Sequence, residues 1–167
     1  DSSRTYMDLT TEEEALIDMA GENFSKVIVL VNSGNVMNLD YLDGDAVDAA
    51  LVVGYPGQSG TKSIARVLKG SVNPSGRLTD TYTRDPESDP SFANALKTQS
   101  TEGDHIHYTE DIYIGYKWYE TADAVGYFEA VGTTYDESVQ YPFGYGMSYA
   151  SFSQRIRGYS LSTTGSG

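Results

Sequence analysis

Cysteine is absent from the 167 residues. That single absence excludes disulfides, zinc-thiolate sites, iron-sulfur clusters and cysteine nucleophiles together, and it leaves the compartment open. Basic residues are scarce as well: 11 Lys and Arg stand against 24 Asp and Glu, a formal charge of -13. So acidic a surface repels phosphate backbones and anionic lipid, and neither nucleic acid nor a membrane is expected as a partner. No long hydrophobic run is present, since the strongest, Val27 to Val31, falls far short of the roughly 20 residues that span a bilayer. Asp1 is preceded by neither an initiator Met nor the basic and apolar start of a signal peptide. A processed or truncated piece is therefore expected, and no localisation is assigned.

What is present fits one globular domain. With 39% hydrophobic residues a chain of this length buries roughly 70% of its unfolded surface, enough for a core without staples. Thr11 with Glu14 three residues on reads as a capping box, and Ala15, Leu16, Met19 and Ala20 form one apolar helical stripe ending near Gly21 to Phe24. Val27 to Val31 is β-branched and lacks polar alternation, the pattern of a strand covered on both faces. The order then repeats: a turn at Asn32-Ser33-Gly34, a short helical candidate from Val36 to Leu42, and a second apolar strand from Ala49 to Val53. After a glycine-rich loop, Gly54 to Gly60, a third helix places Ile64, Ala65, Val67 and Leu68 on its apolar side, with Gly70 set to end it. Alternation of this kind predicts an α/β fold with right-handed crossovers and a mostly parallel sheet, the two apolar strands being interior neighbours.

From Asp80 to Glu110 the sequence turns polar, with Phe92, Ala95 and Leu96 as its anchors, and reads as a surface segment beside a site or an interface. Order resumes from Ile112 to Tyr119. Residues 126 to 140 read as two short strands around Gly132, and Tyr141 to Gly146 as a rigid loop of aromatics and glycines. In that loop Gly144 and Gly146 are expected to serve backbone shape rather than ligand contact. Residues 160–167 have the composition of a linker.

Few motifs carry chemistry. The loop at Gly54 to Gly60 sits between strand and helix, where phosphate loops sit. It nevertheless has five residues between its outer glycines and Thr61 ahead of Lys62, and Pro56 breaks the dinucleotide spacing. A tight crossover turn is the better reading. His105 and His107, beside Glu102 and Asp104, are a conceivable metal pair, but there is no third imidazole and the segment reads as a charged face. No metal or cofactor is expected. Asn23-Phe24-Ser25 has the form of a glycosylation acceptor, which one triplet reaches by chance. Ser33 and Ser59 lack a nucleophile elbow, and with two histidines a Ser-His-Asp triad has little support. The acids allow many glycosidase-like carboxylate pairs, and spacing selects none. Tyr113, Tyr116, Trp118, Tyr119, Tyr141, Phe143 and Tyr145 suit either sugar stacking or core anchoring.

Five stretches match one family in order and spacing: Val27-Ile-Val-Leu-Val-Asn-Ser-Gly-Asn35, Gly54-Tyr-Pro-Gly-Gln-Ser-Gly60, Val67-Leu-Lys-Gly-Ser-Val-Asn-Pro-Ser-Gly-Arg77, Ile112-Tyr-Ile-Gly-Tyr-Lys-Trp-Tyr119 and Tyr141-Pro-Phe-Gly-Tyr-Gly-Met-Ser-Tyr149. Together they resemble the second domain of glycoside hydrolase family 3, the β-glucosidase and β-xylosidase type. The resemblance implies a three-layer, flavodoxin-like α/β sandwich lacking its first strand over residues 1–159, with 160–167 leading into a linker or a fibronectin-like domain. It also implies a retaining mechanism whose Asp nucleophile lies on a separate (β/α)8 barrel and whose acid/base Glu lies upstream of a segment similar to Asp1 to Leu9. No residue of this chain is then catalytic, and neither Glu12, Glu102 nor Glu110 has a motif behind it. What the chain would contribute is scaffold and an aglycone-side loop carrying Tyr55 and Gln58. The expected partners are the barrel of the same enzyme and a β-glucoside or related oligosaccharide. A stand-alone carbohydrate-binding or interaction module is the alternative, and a flavodoxin-like nucleotide or flavin binder a third reading.

Overall fold

The computed structural model describes residues 7–97 and 108–161. The first helix, α1, spans Thr11–Asn23. Its capping box lies one residue earlier than the sequence suggests. Thr10 is extended, its hydroxyl accepts from the Glu13 backbone N–H, and the Glu13 carboxylate accepts from the Thr10 backbone N–H at 2.8 Å. The helical conformation begins at Thr11 itself, so Thr11 is already inside the first turn. These hydrogen bonds hold the Glu13 carboxyl below the usual carboxylate range. The expected apolar stripe is not an inward face: Leu16 and Met19 are exposed, and the helix approaches the rest of the chain through Gly21, where an added Cβ would lie 2.9 Å from that of Ala46.

Strand β1 (Ile28–Val31) pairs in parallel with β2 (Ala49–Val52), Val29 opposite Ala50 and Val31 opposite Val52. Asp48 fixes where the pair begins, because one carboxylate oxygen meets Lys26 Nζ at 2.6 Å and the other accepts from the Val27 backbone N–H at 2.8 Å. These are the two strands the apolar runs indicate. They are not covered on both faces, however. Val31 is buried while Ile28 and Leu30 are 51% and 43% exposed, so within this chain β1 packs through one side-chain face and leaves the other open, and of β2 only Leu51 is half-buried. The helix expected over Val36 to Leu42 shrinks to a 3-10 turn at Asp40–Asp43. Asn38 accounts for this: its side-chain oxygen accepts from the Asp40 backbone N–H, a local bond that competes with helix.

Helix α2 (Gly57–Leu68) ends as expected at Gly70, whose φ of 75° lets Gly70 and Ser71 donate back to Val67 and Arg66. Beyond it, the polar stretch contains structure that its composition conceals. Strand β3 (Tyr82–Thr83) pairs antiparallel with β4 (Val139–Tyr141), and Thr81, Tyr82 and Thr83 are all buried. Pro86–Ser88 forms a 3-10 turn and α3 covers Pro90–Lys97. Residues 126 to 140 are not a pair of strands. They hold α5 (Tyr127–Val131) and α6 (Tyr135–Ser138), which follow α4 (Tyr116–Ala124). Gly126 and Gly132, at φ 70° and 84°, bound α5 in the left-handed conformation, and the Thr134 hydroxyl caps α6 by accepting from the Glu137 N–H. The described residues thus hold one two-stranded parallel and one two-stranded antiparallel sheet. Two cores result: Tyr119, Ala122, Phe128 and Val139 in one, Val31, Leu39 and Tyr82 in the other. The second links the parallel pair to β3.

Candidate functional site

The carboxyl ends of two neighbouring parallel strands are where open α/β sheets place their ligands. Here that position is built by the turn after β1 and the loop after β2. The ladder extends one step past β2, Val53 N–H donating to Val31 at 2.9 Å, and the chain then turns sharply. Gly54 and Gly57 have φ of 56° and 61°, which a side chain would resist, and Pro56 between them is fixed at φ -71°. Tyr55 is consequently held outward on a stiff loop, 81% exposed. Gln58 follows, exposed, in the first turn of α2.

The turn after β1 is equally defined. Ser33 Oγ donates to the Asn35 carbonyl at 2.9 Å and accepts from the Asn35 N–H at 3.1 Å, so this hydroxyl is engaged in its own loop rather than poised as a nucleophile. Gly34 lies directly against the Tyr55 ring, and a Cβ there would come 2.6 Å from the Tyr55 hydroxyl oxygen and closer still to ring carbons. Of the two residues singled out from sequence, Tyr55 lies on the loop and Gln58 just beyond it in the first turn of α2, and the structure sets Gly34 against Tyr55. In sequence Gly34 is marked as the glycine of the Asn32-Ser33-Gly34 turn and as part of the Val27 to Asn35 stretch, with nothing to tie it to Tyr55.

Carboxylates are disposed differently. Arg84 bridges Asp40 at 2.9 Å and Asp43 at 2.6 Å, and Gln140 donates to Asp43 and to the Leu39 carbonyl. The hydrogen bond from Arg84 is the main reason that the Asp43 carboxyl sits below its ordinary range. This network ties the 3-10 turn to β3 and β4. Burial pushes the phenols of Tyr41 and Tyr82 up from their ordinary value. Glu12 lies on the first turn of α1, and Glu110 accepts from the Asn94 amide at 2.8 Å. Glu102, Asp104, His105 and His107 lie outside the described residues. Among the described residues no three His, Asp or Glu are grouped to hold a metal ion.

The aromatic set divides. Tyr119 is buried, Trp118 and Tyr141 pack against the two cores, and Tyr113, Tyr116, Phe143 and Tyr145 remain partly exposed. Phe143 stacks on Tyr116 with centroids 4.3 Å apart, and Tyr145 lies 5.0 Å from Tyr141. Gly144 has φ 79°, while Gly146 serves a close approach: a Cβ there would lie 2.6 Å from the Gly76 carbonyl oxygen. Chemically, the strand-end loop offers an aromatic face and amide groups, suited to contact and hydrogen bonding rather than proton transfer.

The sequence profile of the glycosyl hydrolase family 3 C-terminal domain matches residues 1–116. β-Glucosidase A of Butyrivibrio fibrisolvens is 39% identical over 150 residues, covering 86% of this chain and 16% of that protein. An exo-α-(1→6)-L-arabinopyranosidase of Bifidobacterium longum is 32% identical over 162 residues, covering 97% of this chain and 19% of that protein. The crystal structure of a β-glucosidase from Paenibacillus barengoltzii superposes with a TM-score of 0.75 at 32% identity, covering 94% of this chain and 16% of that one. This chain thus spans less than a fifth of the length of each of these three proteins.

Proposed function

Because this chain belongs to the glycosyl hydrolase family 3 C-terminal domains, we propose that it is part of a retaining β-glycosidase acting on terminal β-linked sugars. In this reading the chain supplies a three-layer, flavodoxin-like α/β scaffold over residues 1–159. A (β/α)8 barrel of the same enzyme supplies the Asp nucleophile, and an acid/base Glu outside this chain donates and then recovers the proton. Retaining hydrolysis needs those two carboxyl groups about 5 Å apart, with opposite protonation states. No carboxylate pair of this chain is assigned to that task. Its own contribution is positional: the stiff loop carrying Tyr55, with Gln58 just beyond it at the start of α2, walls the aglycone side, and the open face of β1 is covered by the rest of the enzyme. The observation that carries the reading is the superposition on a β-glucosidase over nearly the whole chain.

The test is a chimera in which this chain replaces its 150-residue counterpart in the Butyrivibrio fibrisolvens β-glucosidase. The chimera is expected to hydrolyse an aryl β-D-glucoside, and the isolated chain is expected to leave it intact. A folded chimera without turnover refutes the reading. Hydrolysis by the isolated chain that disappears on changing Glu110 or Glu102 also refutes it, and places the chemistry within residues 80–110. A chain that binds oligosaccharide tightly by itself, beside a dead chimera, favours the stand-alone binding module suggested by the exposed aromatics.

A further inference from the structure

Tyr55 combines two properties that seldom coincide. It is 81% exposed, yet its ring rests on the backbone of Gly34, where any side chain would collide with it. The loop that carries it is stiffened by Gly54, Pro56 and Gly57. The ring is thus seated at its Cε2, Cζ and hydroxyl end against a neighbouring strand-end turn, while most of its surface stays open to solvent. An exposed tyrosine serving only solubility needs no such seat.

Resting on the glycosidase reading above, we propose that Gly34 is a positioning residue that seats Tyr55 as a stacking platform for the apolar face of a neutral pyranose ring on the aglycone side. A tyrosine ring face is electron-rich and attracts the slightly positive C–H groups that line one face of a pyranose. The ring hydroxyls need donors and acceptors at the rim. Asn32, the first residue after β1, and Gln58 are exposed, and neither side chain has a hydrogen-bond partner among the described residues. Each amide both donates and accepts. The charge of -13 disfavours a uronate or phosphosugar, so the recognised ring is uncharged. Because the seat is backbone, the ring's orientation is set before ligand arrives, which lowers the ordering cost of binding.

The experiment is an NMR titration of the isotopically labelled full chain with cellobiose. Resonances of Gly34, Tyr55 and Gln58 are expected to shift together. Tyr55→Phe retains the response, and Tyr55→Ala weakens binding about three- to tenfold, the range expected for one lost stacking contact. Gly34→Ala weakens binding similarly but adds nothing in the Tyr55→Ala background. If Gly34→Ala unfolds the chain, the double variant, relieved of the clash, is expected to fold; a double variant that stays unfolded overturns the seating role. Absence of shifts at these three residues, or shifts unchanged by Tyr55→Ala, overturns the platform. The chimera reads the two ideas apart. An inactive chimera with an intact titration removes the glycosidase reading alone, whereas an active chimera whose KM and kcat ignore Tyr55→Ala, with no titration response, removes the platform alone.

Discussion

The backbone N–H of Tyr149 donates a 2.8 Å hydrogen bond to the side-chain oxygen of Asn73, 76 residues earlier in the chain. The same oxygen accepts from Ser148 Oγ at 3.0 Å, and the Tyr149 hydroxyl donates to the Val67 carbonyl in the last turn of α2. Just upstream, Leu78 N–H donates to the Tyr145 carbonyl and Gly144 N–H to that of Leu78. The stretches Val67 to Arg77 and Tyr141 to Tyr149 therefore form one fastened unit. Their joint presence in the sequence has this physical basis.

Loss of that fastening is measurable. Asn73→Ala removes an acceptor shared by two donors and is expected to cost about 1–2 kcal/mol in urea unfolding. Asn73→Asp keeps the oxygens and is expected to cost less. Equal losses in the two variants would show that the contact adds nothing.

Gly144 and Gly146 make different demands and give different variants. Gly144 needs a positive φ, so Gly144→Asn is expected to be tolerated better than Gly144→Ala, which costs about 1–2 kcal/mol. Gly146 needs room against the Gly76 carbonyl, so Ala and Asn there are both expected to destabilise, with no rescue by Asn. Thermal unfolding of the four variants decides it, and rescue of Gly146 by Asn would contradict the assignment.

What the sequence disclosed follows from the range of each signal. The β1 and β2 runs are continuous and β-branched, and both appear as parallel neighbours. Gly70 ends α2 by a local bond pattern that one residue type dictates. Strand β3 escaped notice because it is two residues long and flanked by hydroxyls, and its burial comes from β4, more than fifty residues away. Tyr127, Phe128 and Val131 favour strand, but Gly126 and Gly132 close them into a helical turn. Tyr55 and Gln58 are indicated by the family resemblance, whose stretch Gly54 to Gly60 contains them, whereas the residues alone read as a tight crossover turn. Gly34 reads locally as part of a turn, but its contact with Tyr55 runs between two segments some twenty residues apart and is not legible in either.

Acid should weaken the link between the 3-10 turn and the β3/β4 pair. Arg84 lowers the Asp43 pKa in the folded chain, so this group stabilises the fold above the ordinary aspartate value near pH 3.9. That contribution is lost as pH falls through the lower, folded value. Both partners are partly exposed, at 36% and 48%, so the effect is screened and should shrink further in high salt. In urea unfolding between about pH 6 and 3, Arg84→Met is expected to flatten the acid decline at low salt. An unchanged slope would rule out this pair as its source.

The two faces of β1 supply the last prediction. Val31 is 5% exposed beside Leu39 and Tyr82, whereas Ile28 is 51% exposed on the opposite face. A carboxylate at Val31 would be buried without a partner, and Val31→Asp is expected to cost about 3 kcal/mol or more and to abolish cooperative unfolding. Ile28→Asp keeps its charge in water and is expected to cost about 1 kcal/mol or less in the isolated chain. In the β-glucosidase chimera the order should change. If the open face is covered by the remainder of the enzyme, Ile28→Asp buries a charge at that junction and should suppress assembly and turnover while leaving this chain folded. Circular dichroism of the isolated variant, paired with the activity and elution volume of the chimera, separates the two effects. An Ile28→Asp chimera with undiminished turnover would mean that this face stays in water, and that the sheet needs no cover from the rest of the enzyme.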